Sequence, residues 1–73
     1  MNYKDALTDY INLYKKGIIT FEECIIKGAE VLTELKRYYN SIYYHGIIQN
    51  PKPMNQARIY FLTELIKALV ENI

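Results

Sequence analysis

The chain has 73 residues, which is enough for one small domain, spanning 1–73, and too few for two. Half of the residues are hydrophobic (51%) and 23% are charged, a balance typical of a folded domain rather than a disordered tail. The net charge of +1 argues against a partner bound mainly by charge, such as bulk DNA or an anionic membrane. A single cysteine and a single histidine exclude an internal disulfide framework and a multi-histidine metal site.

The first predicted helix covers residues 3–16. Apolar and aromatic side chains recur there every three or four residues, the spacing of one helix face. These residues are Tyr3, Leu7, Tyr10 and Tyr14. Asp5 suits the first turn because the helix dipole favours negative charge there, and Lys15 and Lys16 suit the last turn. Gly17 is predicted to end the helix in the left-handed conformation that glycine adopts without strain.

A capping box marks the start of the second predicted helix, over residues 21–44. Thr20 is placed to accept a hydrogen bond from the N–H of Glu23, whose side chain is placed to reach back to the N–H of Thr20. Ile19, just before the cap, is expected to pack against Cys24. Because the connection from the first helix is short, the two helices are predicted to form an antiparallel hairpin.

Apolar residues follow a heptad pattern in the second helix and in the third, which is predicted over residues 53–72. The stripe of the second helix is Phe21, Ile25, Gly28, Leu32, Leu35, Tyr39 and Ile42, broadened by Cys24, Val31, Tyr38 and Tyr43. The stripe of the third is Ile59, Leu62, Ile66, Leu69 and Ile73, broadened by Phe61, Leu65, Ala68 and Val70. Both faces are wider than one partner helix would cover. We therefore expect an all-α fold of three helices, an antiparallel bundle that is completed by dimerisation through the second and third helices.

Gly28 lies inside an otherwise continuous helical pattern. A glycine at such a position costs about 1 kcal/mol relative to alanine. We expect that it is compensated by the close approach of another helix, near Ala57 or Ala68, or of a second copy of the chain.

Residues 11–32 contain a helix that is predicted to end in glycine, followed by an Ile-Thr pair and by the acidic first turn of the next helix. The residues that carry this pattern are Leu13, Gly17, Ile18, Ile19, Thr20, Glu22, Glu23, Lys27 and Leu32. The segment resembles the short C-terminal domain (SHOCT) family, a small helical hairpin of many prokaryotic proteins. That motif usually closes a longer protein, whereas here a long helix extension and a third helix follow it. The resemblance implies a hairpin used for oligomerisation or docking, and nucleic acid is one kind of partner that it would allow. It implies no catalytic residue.

Residues able to carry catalysis are few. Cys24 is expected to act as a small buried hydrophobic residue, and His45 near a helix C-terminus is explained by the helix dipole. About six turns of helix separate them, which excludes a dyad within one chain. Glu22 and Glu23 are accounted for by helix capping, and no phosphate-binding loop or metalloprotease motif occurs. We therefore expect no enzyme, no cofactor and no metal site.

A cluster of tyrosines with basic neighbours near the end of the second helix is the most unusual feature. Rings at successive helix positions cannot all face one core, so some are expected at an interface, where tyrosine is favoured. The residues expected at an interface with a partner are Gly28, Leu35, Tyr38, Tyr39, Ile42, Tyr43 and Tyr44. The residues expected to contact nucleic acid, in the alternative interpretation, are Lys36, Arg37, Lys52, Asn55, Gln56 and Arg58.

These features favour a small non-enzymatic helical interaction or adaptor protein that forms a homodimer and binds a protein partner of unidentified nature. The alternative is a small DNA- or RNA-binding regulator that uses the start of the third helix. Eight tyrosines and eleven isoleucines suggest an A/T-rich genome, as in viruses and mobile elements. No apolar run approaches about 18 residues and no signal-peptide pattern opens the chain, so we expect no membrane contact and a cytoplasmic location, in the host cytoplasm if the protein is viral.

Overall fold

The fold consists of three α-helices in a computed structural model that describes residues 3–44 and 52–71. Helix α1 is Tyr3–Lys15, α2 is Phe21–Tyr44 and α3 is Lys52–Glu71. Side chains are described for residues 3–38 and 55–71. No strand occurs in the described ranges, so the predicted all-α class is confirmed, with each helix boundary within one residue of its predicted place.

Gly17 ends α1, and the turn that follows has the hydrogen bonds of a Schellman motif. The φ angle of Gly17 is 76°, in the left-handed region that side chains disfavour. The N–H of Gly17 donates to the carbonyl of Tyr14 at 2.9 Å, and the N–H of Ile18 donates to the carbonyl of Leu13 at 2.9 Å. The Tyr14 ring also packs edge-on against Phe21, with ring centroids 5.5 Å apart. The predicted glycine cap is therefore confirmed.

Thr20 and Glu23 form the predicted capping box at the start of α2. The N–H of Glu23 donates to Thr20 Oγ1 at 3.0 Å, and the N–H of Thr20 donates to Glu23 Oε1 at 3.2 Å. Ile19, half-buried just before the box, packs against the core cluster that includes Cys24. The hydrogen bonds of the glycine cap and of the capping box fix the turn at residues 16–20. The chain reverses there, and α2 runs back along α1.

Helices α1 and α3 run parallel to each other and antiparallel to α2, and every pair of helices is in contact. In the first half of α1, Thr8 Oγ1 forms a hydrogen bond with Tyr60 Oη of α3. At the end of α1, Lys15 Nζ lies 3.5 Å from Glu71 Oε2 at the end of α3. The order of these contacts along both helices shows the parallel arrangement.

The core is built from buried apolar residues of all three helices. Its members are Leu7, Ile11, Cys24, Val31, Leu35, Phe61, Leu65 and Ala68. Within the described side chains no polar or charged residue is buried, and no buried nitrogen or oxygen lacks a hydrogen bond. The predicted α1 stripe omitted Ile11, which lies one turn after Leu7 and shares its face. The tyrosines of that stripe are only half-buried, because their hydroxyl groups favour the rim of the core.

Candidate interaction surface on α3

Five apolar side chains of α3 are exposed to solvent and form what we call the outer face. The outer face consists of Ile59, Leu62, Ile66, Leu69 and Val70, with exposed fractions of 63%, 55%, 60%, 37% and 63% in that order. Because successive members are mostly three or four residues apart, they lie on one side of the helix as a continuous strip. Contiguous apolar strips of this kind mark interaction sites, whereas single exposed apolar residues are ordinary.

The opposite side of α3, its inner face, packs in the core. Phe61, Leu65 and Ala68 are exposed by only 4%, 5% and 0%. Helix α3 therefore has two apolar faces instead of one broad stripe. The heptad row and the residues expected to broaden it were predicted as one wide apolar face, and within the described residues they divide into two faces. The row lies outside, and three of the residues expected only to broaden it form the inner face.

The contact between Gly28 and Phe61 accounts for the orientation of α3, in which the inner face and not the outer face packs in the core. A methyl group built on Gly28 would lie 2.6 Å from both Cε atoms of the Phe61 ring, and closer still to its Cζ. The tip of the ring thus fills the space that a side chain at position 28 would need. The predicted close approach of another helix at Gly28 is confirmed, and the group that approaches is Phe61, which lies between Ala57 and Ala68 on α3.

The apolar residues of α2 are divided in the same way. Those facing inward are Cys24, Gly28, Val31 and Leu35. Ile25 and Ile26 are exposed by 40% and 57%, although Ile25 was expected in the principal stripe. Gly28 and Leu35, which were expected at a partner interface, lie in the core of their own chain. They are covered there because Gly28 receives the Phe61 ring and Leu35 is only 4% exposed.

The tyrosine cluster is described only in part. Tyr38 is 54% exposed, as expected of an interface residue. The side chains expected beside it, which are those of Tyr39, Ile42, Tyr43 and Tyr44, lie outside the described residues, as does His45. Tyr60 of α3, which was not selected from the sequence, contacts α1. Its hydroxyl bonds to Thr8, and Lys4 Nζ lies 4.9 Å from the centre of its ring.

The residues expected to contact nucleic acid fall into two small groups. Lys36, Arg37, Asn55, Gln56 and Arg58 are exposed, and the side chain of Lys52 lies outside the described residues. Lys36 and Arg37 are adjacent on α2 and so point about 100° apart. The others lie at the start of α3, where Gln56 lines a 340 Å³ cleft whose floor includes Leu7 and Leu35. The nucleic-acid interpretation stays a prediction.

Two of the side chains considered for catalysis, Cys24 and Glu23, have structural partners. Cys24 is fully buried, and its Sγ donates to the carbonyl oxygen of Tyr10 at 3.6 Å. Burial raises the pKa of the Cys24 thiol, and the place of Cys24 in the apolar core confirms its hydrophobic role. Glu23 belongs to the capping box. In the part of the chain that the structure describes, no group of three or more His, Cys, Asp or Glu residues is arranged to hold a metal ion.

Comparisons with known proteins found no match among protein-family models, curated proteins or solved structures. The resemblance of residues 11–32 to the SHOCT hairpin therefore stays a prediction. Across residues 3–44 and 52–71, no helix has both the length and the apolar character needed to cross a bilayer.

The wide apolar face of the third helix was predicted to serve dimerisation, but no residue of the outer face was named as an interface residue, because those residues were all chosen on α2. One signal could have found it. The rows Ile59–Leu62–Ile66–Leu69 and Phe61–Leu65–Ala68 each keep helical spacing, yet they lie more than a quarter-turn apart. Two such rows on one helix need two packing partners, and a single hairpin of α1 and α2 covers only one of them.

Proposed function

We propose that this chain is a non-enzymatic helical interaction protein that acts through self-association, with the outer face of α3 as the contact surface. The exposure of this face carries the proposal: four of its five members are more than half exposed on an otherwise well-packed helix. Binding of a different protein through the tyrosine-rich end of α2 stays a prediction from sequence.

The size of the outer face fits an interface between two copies. Its five side chains expose an area on the order of 500 Å², comparable to the largest apolar patch of an ordinary monomer, which is often functional. Two such faces packed together would bury on the order of 1,000 Å², the lower limit for a specific interface. A two-fold dimer uses the same patch on both subunits, so one strip on one helix is sufficient.

The small core of the single chain also supports self-association. A domain of this size without disulfides or metals has only about 3–5 kcal/mol available from its core. Burying one exposed isoleucine or leucine completely adds about 1.5–3 kcal/mol. Contacts along the outer face of two copies would therefore add stabilisation comparable to that of the core itself.

The first experiment is the solution mass of the chain, measured by light scattering after size exclusion across a dilution series. We expect a dimer that dissociates only on strong dilution. The variant Ile66→Lys places a charge at the centre of the outer face and should weaken the dimer at least tenfold. Ile26→Lys is the matched control, because Ile26 has nearly the same exposure, 57% against 60%, but lies on α2.

Two results would overturn the proposal. The first is a strictly monomeric chain at low micromolar concentration. The second is a dimer that Ile66→Lys and Ile26→Lys weaken equally, since that dimer would not use the outer face. Circular dichroism of both variants at high dilution shows whether each monomer still folds.

A further inference from the structure

We propose that the two copies of α3 pair in parallel and in register, as a short two-stranded coiled coil along the outer face. This inference rests on the self-association proposed above and adds the orientation of the partner. It replaces the expectation that α2 and α3 pack antiparallel with the second copy, because the inward residues of α2 are already covered by Phe61 and its neighbours.

The order of residue types along the outer face indicates two strands. With Ile59 at heptad position a, Leu62 falls at d, Ile66 again at a and Leu69 again at d. In parallel coiled coils, β-branched residues at a combined with leucine at d favour two strands over three or four. The row runs uninterrupted over about three helix turns.

Asn55 distinguishes the two orientations. It is exposed and lies seven residues before Leu62, so it continues the same row at a d position. In a parallel pair, Asn55 meets the Asn55 of the second copy, and the two amides can donate to and accept from each other. In an antiparallel pair centred on the strip, Asn55 would lie beyond Glu71 of the second copy and would not meet the matching amide.

The bundle leaves room for this arrangement. The outer face lies away from the inner face formed by Phe61, Leu65 and Ala68, so the α1–α2 hairpin is not between the two copies. The two-fold axis of a parallel pair runs along α3. Each hairpin then lies on the far side of its own α3 helix, and the two copies of α3 can approach along the length of the strip.

Distances between spin labels on the two copies test the orientation. Labels are attached to single cysteines introduced as Gln56→Cys, near one end of the strip, and Thr63→Cys, near its middle. Both positions are exposed, while the native Cys24 is fully buried and serves as the unlabelled background. The wild-type protein treated with the same reagent checks that Cys24 does not react.

A parallel pair predicts short and similar distances for both labels. An antiparallel pair predicts a short distance for Thr63→Cys but an axial separation of about 25 Å for Gln56→Cys. That second result would overturn the orientation and leave the proposed function standing. A dimer in which both labels are far apart would overturn both, since the outer face would not be the interface. A monomer by mass would remove the proposed function itself.

The variant Asn55→Asp gives an independent test by pH. In a parallel pair it places two carboxylates together, so dimer affinity should fall several-fold at pH 7 and recover towards pH 3, well below the ordinary aspartate pKa of about 3.9, where the carboxylates are largely protonated. The wild-type dimer at both pH values is the control. An Asn55→Asp dimer with the same pH dependence as the wild type would contradict the parallel pairing.

Discussion

The inner and outer faces of α3 have similar compositions but different surroundings. Both are rows of apolar residues at helical spacing, yet the inner face is at most 5% exposed and the outer face is 37–63% exposed. The two faces differ in whether the α1–α2 hairpin has a surface that is complementary to them. Gly28 on α2 leaves a space for the Phe61 ring, and α1 supplies Thr8 for the hydroxyl of Tyr60. Apolar spacing therefore identifies the faces that are able to pack, while complementary shape decides which of them packs within the chain.

The largest expected effect separates the two faces directly. Phe61→Ala removes a ring that is 4% exposed and should lower the free energy of unfolding by about 3–5 kcal/mol, which is close to the whole stability of a domain this size. The loss should be the same at every protein concentration, because the inner face packs within one chain. Urea or thermal unfolding followed by circular dichroism measures it.

Ile66→Ala is the control for the outer face. In the dissociated monomer this change should alter stability by less than about 0.5 kcal/mol, because Ile66 is 60% exposed. A loss should appear only at concentrations where the dimer is populated. If Phe61→Ala and Ile66→Ala lowered the free energy of unfolding equally at high dilution, the inner face would not be the one that stabilises the monomer.

The second prediction tests the fit between α2 and α3. Gly28→Ala should gain about 1 kcal/mol from helix propensity. It should nevertheless lower stability by about 1–2 kcal/mol overall, because its methyl group would enter the Phe61 ring. In the background of Phe61→Leu, which withdraws the tip of the ring, the same change should cost nothing or become favourable. A cost of Gly28→Ala that is unchanged in that background would contradict the fit.

Much of the fold follows from local rules that a sequence displays openly. The Schellman motif at Gly17 and the capping box of Thr20 and Glu23 depend on residues within one turn of each other. Their physics is the same in any chain, so the helix boundaries and the hairpin could be predicted. The burial of Cys24 followed from its place on the apolar side of α2.

The candidate site could not be predicted in the same way. Which of two apolar rows on α3 faces the hairpin depends on a contact between Gly28 and Phe61, residues that are 33 positions apart. A periodic pattern contains no information about such a pair. For the same reason Gly28 and Leu35, chosen as interface residues for their place in a stripe, lie in the core.

The third prediction changes the hairpin while leaving both faces of α3 intact. Thr20→Ala removes the acceptor for the N–H of Glu23 and should cost about 1 kcal/mol at all protein concentrations. Thr33→Ala is the matched control, because Thr33 is exposed in the middle of α2 and its hydroxyl donates to the carbonyl of Ala29 at 2.8 Å. That variant should lose nothing, since alanine favours the helix interior. Equal losses from both would argue against the capping box as a source of stability.

The smallest expected effect concerns the ion pair that joins the ends of α1 and α3. Lys15 Nζ and Glu71 Oε2 are 3.5 Å apart, and the two side chains are 36% and 60% exposed. Exposed pairs contribute little because water and salt screen them, so a double-mutant cycle of Lys15→Ala and Glu71→Ala should give a coupling of about 0.2–0.5 kcal/mol. High salt should remove most of that coupling. A coupling well above 1 kcal/mol that persists in high salt would show that charge, and not only the fit of Phe61, fixes which face of α3 turns inward.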